Sequence, residues 1–468
     1  MIHAAALLPL IGLLPPAAPT TPEDDDVKTV ERTGDGKPVC GLGREFHTGR
    51  RGELKERLGD SGLFVMRGLP VPRDYLRFTQ DKMFWYLTGI ESPDVSLVID
   101  LETGEEMLFL PPASTIWETW NGERWDIGDD WIGELTGFKS ILPDKALLKT
   151  IEERLSEGEV IWTSLQPYVS MTSAYDSARS FRDAREKDPL DGRKSREHTL
   201  KERFEERFGV EVKDASPTLN KMRWVKQPQE VEAIHRASRA GAAALVEAIR
   251  STRPGVGEWE IASLMTFVHV REGASGPAYS AIVGSGPNSC SLHYLAAARE
   301  MRDGEPLLVD YGPEVDHYVT DITRTWPVGG KFEGRMKELY EAVLAAQEAA
   351  IAGAGPGMTL RDVHALAVEE LRSRGFAGLL NHGVCHSVGM EVHDPGPRGG
   401  VLEPGVVFTI EPGAYDGKLG IGIRIEDVVV CTEDGVEVLS DDVPKDIASI
   451  EALMATDGAL DLLQDRGQ

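Results

Sequence analysis

The chain is 468 residues long, more than one average hydrophobic core can organise, so two or three domains are expected. Hydrophobic residues make up 41% and charged residues 27%, a balance that excludes an intrinsically disordered chain. The formal net charge of −27 excludes a basic nucleic-acid footprint and argues against docking on anionic lipid.

From the N-terminus, Ala4 to Leu14 is an apolar run too short to span a bilayer, followed by Pro15, Pro16 and an acidic stretch, Glu23 to Asp26. Its length resembles a secretory signal. It carries no Lys or Arg ahead of the run, and Pro19 interrupts the best small-residue cleavage site. The expectation is an exported or periplasmic protein, with a cytoplasmic location as the alternative. No other segment reaches transmembrane length. The four cysteines, Cys40, Cys290, Cys385 and Cys431, are widely spaced, so neither a disulfide framework nor a zinc knuckle is expected.

Residues 1–43 read as this possible signal segment and a Pro-, Asp- and Gly-rich linker. A first, smaller α/β domain is expected over 44–220. Its short apolar strands are Ser61 to Arg67, Ser96 to Asp100 and Glu106 to Leu110; its helices include Glu53 to Leu58 and Arg193 to Phe208. The aromatic cluster Phe84 to Ile90 reads as core. This domain offers no metal or nucleophile constellation. A second domain is expected over 221–468, opening with a long helix that has Pro228 in its first turn and Gly255 closing it. Strands and hairpins then alternate with two further helices, Gly334 to Ala352 and Leu360 to Arg374, which makes the class α+β.

Four elements of this domain carry chemistry. Leu307 to Tyr311 and His317 to Pro327 read as two strands, and a hairpin symmetric about Val315 and Asp316 makes Asp310 and Asp321 direct cross-strand neighbours. Their Cβ atoms are then about 5 Å apart. Two carboxylates so close need a shared proton or a cation, and a divalent ion suits carboxylate oxygens. Second, His382, His386 and His393 cluster between Asn381 and Gly396 on chain too rich in Gly to be helical. Histidine is the commonest metal ligand and the usual acid or base near neutral pH. Third, alternation in Val406 to Tyr415 places Val406, Phe408 and Ile410 on one face and Val407, Thr409 and Glu411 on the other. Fourth, in Gly420 to Val430, Ile421, Ile423 and Ile425 share one face while Arg424 and Glu426 project from the opposite one. Four carboxylates and a histidine are enough for a dinuclear site.

These elements, in this order and spacing, resemble the pita-bread metallopeptidases, a group that includes aminopeptidase P, prolidase and methionine aminopeptidase. The resemblance covers about Met222 to Ala455. It implies metal ligands Asp310, Asp321, His386, Glu411 and Glu426, a substrate histidine at His293, catalytic or substrate-stabilising histidines at His382 and His393, and Arg424 beside the last ligand. "FTQDKMFWYLTGIESPDVSLVID" and "ETWNGERW" also resemble the N-terminal domain of the aminopeptidase P (Xaa-Pro aminopeptidase) family and of its close prolidase relatives, which methionine aminopeptidases lack. The resemblance therefore implies a pita-bread catalytic domain and two divalent metal ions, manganese by family habit. It also implies a homo-oligomer, dimer or tetramer, and peptide substrates with proline at the second position. The expected mechanism uses the metal pair to activate one water, with Glu411 handling its proton. The alternatives are a prolidase acting on Xaa-Pro dipeptides and, in another class, a metal-free pita-bread binding module.

Overall fold

The computed structural model of the chain describes residues 39–72, 77–156, 158–170 and 172–464. The apolar run Ala4 to Leu14 and its linker lie outside the described residues.

The first part of the chain is built on one six-stranded mixed sheet. Its strands are β1 (Leu63–Arg67), β2 (Ser96–Asp100), β3 (Glu106–Leu110), β4 (Ser140–Pro143), β5 (Val160–Thr163) and β6 (Glu211–Asp214), in the order β4-β3-β2-β1-β5-β6. β1 to β3 pair antiparallel and the outer strands add in parallel. The β2 residues are all buried, consistent with a central strand of continuous apolar character. Asp81 caps the helix Lys82–Thr88 by accepting the Phe84 N–H, and Phe84, Trp85 and Tyr86 of that helix are core residues. The helix expected from Glu53 begins earlier, at Arg44, and ends at Leu58. Helices Tyr175–Lys187 and Arg196–Phe208 precede β6.

The second part opens with the expected long helix, Pro228–Ser251. A further helix, Glu258–Arg271, was not foreseen from the sequence. It buries Ile261, Leu264, Met265 and Val268 but leaves Trp259, Phe267 and Val270 about half exposed, so its apolar residues do not make one clean stripe. The strands follow as β7 (Gly276–Pro277), β8 (Ile282–Ser285), β9 (Pro306–Asp310), β10 (Pro313–Val315), β11 (Tyr318–Val319), β12 (Thr323–Pro327), β13 (Val407–Ile410), β14 (Gly413–Asp416), β15 (Ile421–Arg424), β16 (Asp427–Cys431) and β17 (Val436–Val438). They form small antiparallel sheets: β12-β9-β8, β11-β10-β7, β13-β16-β17 and β14-β15. Helices Gly334–Gly353 and Leu360–Ser373 pack beside them, sharing a core that takes Val406, Phe408, Ile410, Ile423 and Ile425. Val407, on the other face of β13, enters the core shared with the first sheet. Mixed helices and small sheets of this kind are the α+β architecture expected.

The register of the aspartate hairpin differs from expectation. Asp310 pairs with Thr323, not with Asp321, and Val315 pairs with Tyr318. Both pairs centre the turn on Asp316 and His317, one residue later than symmetry about Val315 and Asp316 assumed. The reason is the turn itself. Asp316 and His317 both have positive φ, 49° and 63°, as a two-residue primed turn requires. Arg236 holds the Asp316 carboxylate at 2.7 Å. Asp321 therefore falls in a break between β11 and β12 and is a diagonal, not a direct, neighbour of Asp310. At that break Gly312 passes so close to the Thr320 carbonyl that a Cβ would sit 2.0 Å from its oxygen.

Candidate metal centre

All nine residues singled out from the sequence line one cavity of about 570 Å³. Four separate elements supply all of them but His293, which follows the turn Gly286–Cys290. Asp310 closes β9 and Asp321 follows β11. The segment carrying His386 runs extended beside β13: Thr409 N–H donates to the His386 carbonyl, Glu411 N–H to Val384 and Val388 N–H to Val407. Pairing of that kind fixes His386 next to Glu411, which stands immediately beyond β13. Arg424 ends β15, and Glu426 lies two residues on, so strand alternation sends both to the same side.

Distances show how tightly the acids converge. His386 Nε2 lies 3.4 Å from Asp321 Oδ2 and 3.4 Å from Glu411 Oε1. Its Nδ1 faces the Ser387 carbonyl at 3.3 Å, so Nε2 is the ring nitrogen turned toward the carboxylates. Ligand atoms of Asp321, His386 and Glu426 all fall within 4.8 Å of one another. Tyr279 Oη is 2.6 Å from Asp310 Oδ1 and 2.6 Å from Asp321 Oδ1. A phenol has one proton to donate, so it satisfies one of these carboxylates at a time. Arg424 donates to Asp310 Oδ2 at 2.5 Å, to Tyr415 Oη at 3.1 Å and to Thr323 Oγ1 at 3.1 Å. Thr323 in turn donates to Glu426 Oε2 at 2.6 Å.

The electrostatics follow from burial. Burial and the Asp321 charge push the Asp310 carboxyl up to about 6, against the pull of Arg424. Glu411 is pushed up to about 8 by burial and by Asp321 and Asp310, again opposed by Arg424. Burial and the other three carboxylates raise Glu426 well above the usual range. Burial also works against ionised Asp321, yet the hydrogen bond and charge of His386 outweigh it and hold Asp321 low. Four buried acids thus face one permanent cation, Arg424. That deficit is what divalent cations relieve, and four carboxylates with one imidazole suit manganese, cobalt, iron or zinc. Asp310, Asp321, His386, Glu411 and Glu426 fit a metal centre on these grounds.

The three remaining histidines differ in what their ring nitrogens can do. His382 Nδ1 lies 2.7 Å from the Gly383 carbonyl, which can only accept, and its Nε2 lies 2.9 Å from Tyr415 Oη. Burial lowers it to about 4, so its 3.7 Å approach to Glu411 is that of a neutral ring. His393 lies against His386, with ring centroids 4.1 Å apart and planes tilted by 50°. His293 stands at the rim beside Leu292 and Leu295, its pKa lowered by partial burial.

Comparison with known proteins agrees with this geometry. The model of metallopeptidase family M24 matches residues 232–433, and that of the aminopeptidase P N-terminal domain matches residues 47–162. The Xaa-Pro aminopeptidase of Haemophilus influenzae is 32% identical over 419 residues, covering 81% of this chain and 88% of that protein. The chain belongs to metallopeptidase family M24. Within that family it sides with aminopeptidase P: the Xaa-Pro aminopeptidase of Escherichia coli is 32% identical over 451 residues, covering 88% of this chain and 97% of the relative. A solved structure of zinc-substituted Escherichia coli aminopeptidase P in complex with product superposes with a TM-score of 0.74 at 30% identity, over 88% of this chain and 98% of that one. The fold is thus the pita-bread fold with its N-terminal domain, and family M24 membership implies divalent metal ions, for which the acid cluster is the candidate site.

Several residues of the site were not singled out from the sequence. Tyr279 sits on the loop between β7 and β8 with no neighbouring motif. Thr323 is the residue Asp310 faces across the ladder, and a correct turn centre would have found it. Tyr415 closes the quoted Val406 to Tyr415 stretch. Asp176 comes from the first part of the chain, where no chemistry was expected, and lies 2.9 Å from His393 Nδ1.

Proposed function

We propose that this chain is a metal-dependent Xaa-Pro aminopeptidase, hydrolysing the bond between an N-terminal residue and a following proline, with manganese as the working metal. The observation that carries the reading is the convergence of Asp310, Asp321, His386, Glu411 and Glu426 on a single cavity with a deficit of positive charge.

Bound to these five residues, a divalent pair supplies Lewis-acid polarisation and lowers the pKa of a water. Glu411, within reach of His386 and His382, takes the proton of the attacking water and passes it to the proline nitrogen as the C–N bond breaks. His393 holds the substrate backbone, its Nε2 accepting a peptide N–H. His382, with both ring nitrogens engaged, forms a fixed wall of the same cavity. Leu292, Leu295 and Ile282 give the proline ring apolar surface beside His293. The acids draw the cationic α-amine of the substrate, which is how an exopeptidase counts one residue. Arg424 holds Asp310 in place and keeps Tyr415 against His382. Self-association into a dimer or tetramer, as the family resemblance implies, is read by light scattering; an export role for residues 1–43 is read by mature N-terminal sequencing.

A panel of Xaa-Pro-Yaa, Xaa-Ala-Yaa and Xaa-Pro peptides, assayed with and without manganese, tests the proposal. Release of Xaa from the proline tripeptides, but not from the alanine series, is expected. Turnover of dipeptides alone makes the protein a prolidase, and turnover of none makes it a binding module.

A further inference from the structure

The helix Tyr175–Lys187 buries none of its side chains, so core packing does not account for where it lies. Its N-terminal end nevertheless forms part of the catalytic cavity, through Ala174 and Ser177. Between them, Asp176 crosses from the first sheet's part of the chain to the catalytic histidines. Its Oδ2 lies 2.9 Å from His393 Nδ1, while its Oδ1 accepts the Ser177 backbone N–H at 2.8 Å. Both oxygens are therefore engaged, and the start of a helix is a favourable place for a carboxylate. The pair is partly exposed, so it adds little to stability. Its consequence is for the imidazole. A carboxylate only accepts, so Nδ1 of His393 carries a proton and Nε2 is left as the ring nitrogen open to a ligand. The ring is held from its other side by His386, with centroids 4.1 Å apart.

We propose that Asp176 is a positioning residue: from outside the metallopeptidase fold it fixes the ring orientation and tautomer of His393, so that Nε2 meets the peptide in the cleft. The segment Thr172–Ser177 then does more than wall the cavity; it completes the catalytic set. This inference rests on the Xaa-Pro aminopeptidase reading, and two readouts keep the two apart.

The first is a double-mutant cycle on the manganese-loaded full chain, measuring kcat and KM for a proline tripeptide. Asp176→Ala is expected to lower kcat about tenfold while KM stays within about twofold, since second partners of functional histidines carry effects of that order. The same substitution added to His393→Ala is expected to change kcat by less than about twofold, because the residue it acts through is gone. The second readout needs no turnover: 15N shifts of the histidine-labelled, zinc-loaded protein, with His393 assigned from His393→Ala. The wild type is expected to show the Nδ1–H tautomer, and Asp176→Ala a mixture. Wild-type-like kcat in Asp176→Ala, an equal loss in both backgrounds, or unchanged 15N shifts would each overturn the proposal. A wild-type protein without tripeptide turnover would overturn the functional reading instead, and the shifts would still decide the role of Asp176.

Discussion

Two clusters of buried charge lie side by side in this molecule, and they are balanced in opposite ways. Around His393, the acids Glu391, Asp394 and Glu314 face the cations Arg223, Lys226 and Lys82, three against three. Arg223 pairs with Glu391 at 3.2 Å and also with Asp394, Lys226 with Asp394 at 3.3 Å, and Lys82 with Glu314 at 3.1 Å. All six side chains are almost fully buried. In the cleft, Asp310, Asp321, Glu411 and Glu426 face one permanent cation, Arg424, so with all four ionised three negative charges are left for protons or a cation to match. The first cluster is complete within the protein and ties Lys82 of the first sheet's helix to the loop that carries His393. The second is incomplete without a ligand. Buried charge by itself marks neither structure nor function; the sign of what is left over does.

The largest effect that sharpens this contrast is on the unbalanced side. Glu411→Gln or Asp310→Ala is expected to cost about 10³-fold or more in kcat with the melting temperature kept or raised, because each removes a ligand and a repelling charge. Wild-type turnover in either variant breaks the contrast. On the balanced side the expectation reverses. Arg223→Ala strands Glu391 and Asp394 in the interior and is expected to destabilise the fold by about 3–5 kcal/mol in urea unfolding.

A smaller effect concerns protons. In the metal-free protein Glu411 sits near 8 and Asp310 near 6, so at neutral pH the cleft holds protons that an incoming cation must displace. Metal affinity is therefore expected to rise from pH 6 through pH 8 and to level off only above the Glu411 value, with proton release visible by calorimetry in buffers of different ionisation heat. A flat affinity over that range contradicts the raised carboxylates.

The smallest effect lies at the contact between the two parts of the chain, where His317 Nε2 meets Glu91 Oε2 at 2.5 Å. Burial opposes the charged ring, but the Glu91 charge and hydrogen bond win and raise its pKa. A raised folded value means the stabilisation is fully present below the unfolded value of about 6.5 and is lost as pH rises through the folded one. The melting-temperature difference between the wild type and His317→Gln is expected to shrink from pH 6 to pH 9. A constant difference means that the ring acts by packing on Trp85 alone.

Most of the candidate metal centre's convergence was legible because strand alternation is a strict rule: once Val406 and Ile410 face the core, Glu411 faces away, and the same logic places Arg424 with Glu426. The hairpin was less legible. Its turn uses Asp316 and His317, which take left-handed conformations without the glycine that usually announces them, and a one-residue error in the centre moved every partner by two. The helix Glu258–Arg271 was hidden by Trp259, Phe267 and Val270 on its exposed side. Tyr279 and Asp176 were invisible for a different reason. Each is a single polar residue brought to the cleft from a distance, and no local spacing marks such a residue before the fold is known.

The most direct measurement is a titration of exhaustively chelated protein with manganese, following bound metal and tripeptide hydrolysis together. Negligible turnover before addition, then recovery that saturates as two ions bind per chain, is the result expected from a cleft short of positive charge. Full hydrolysis by protein shown to carry no metal would contradict it.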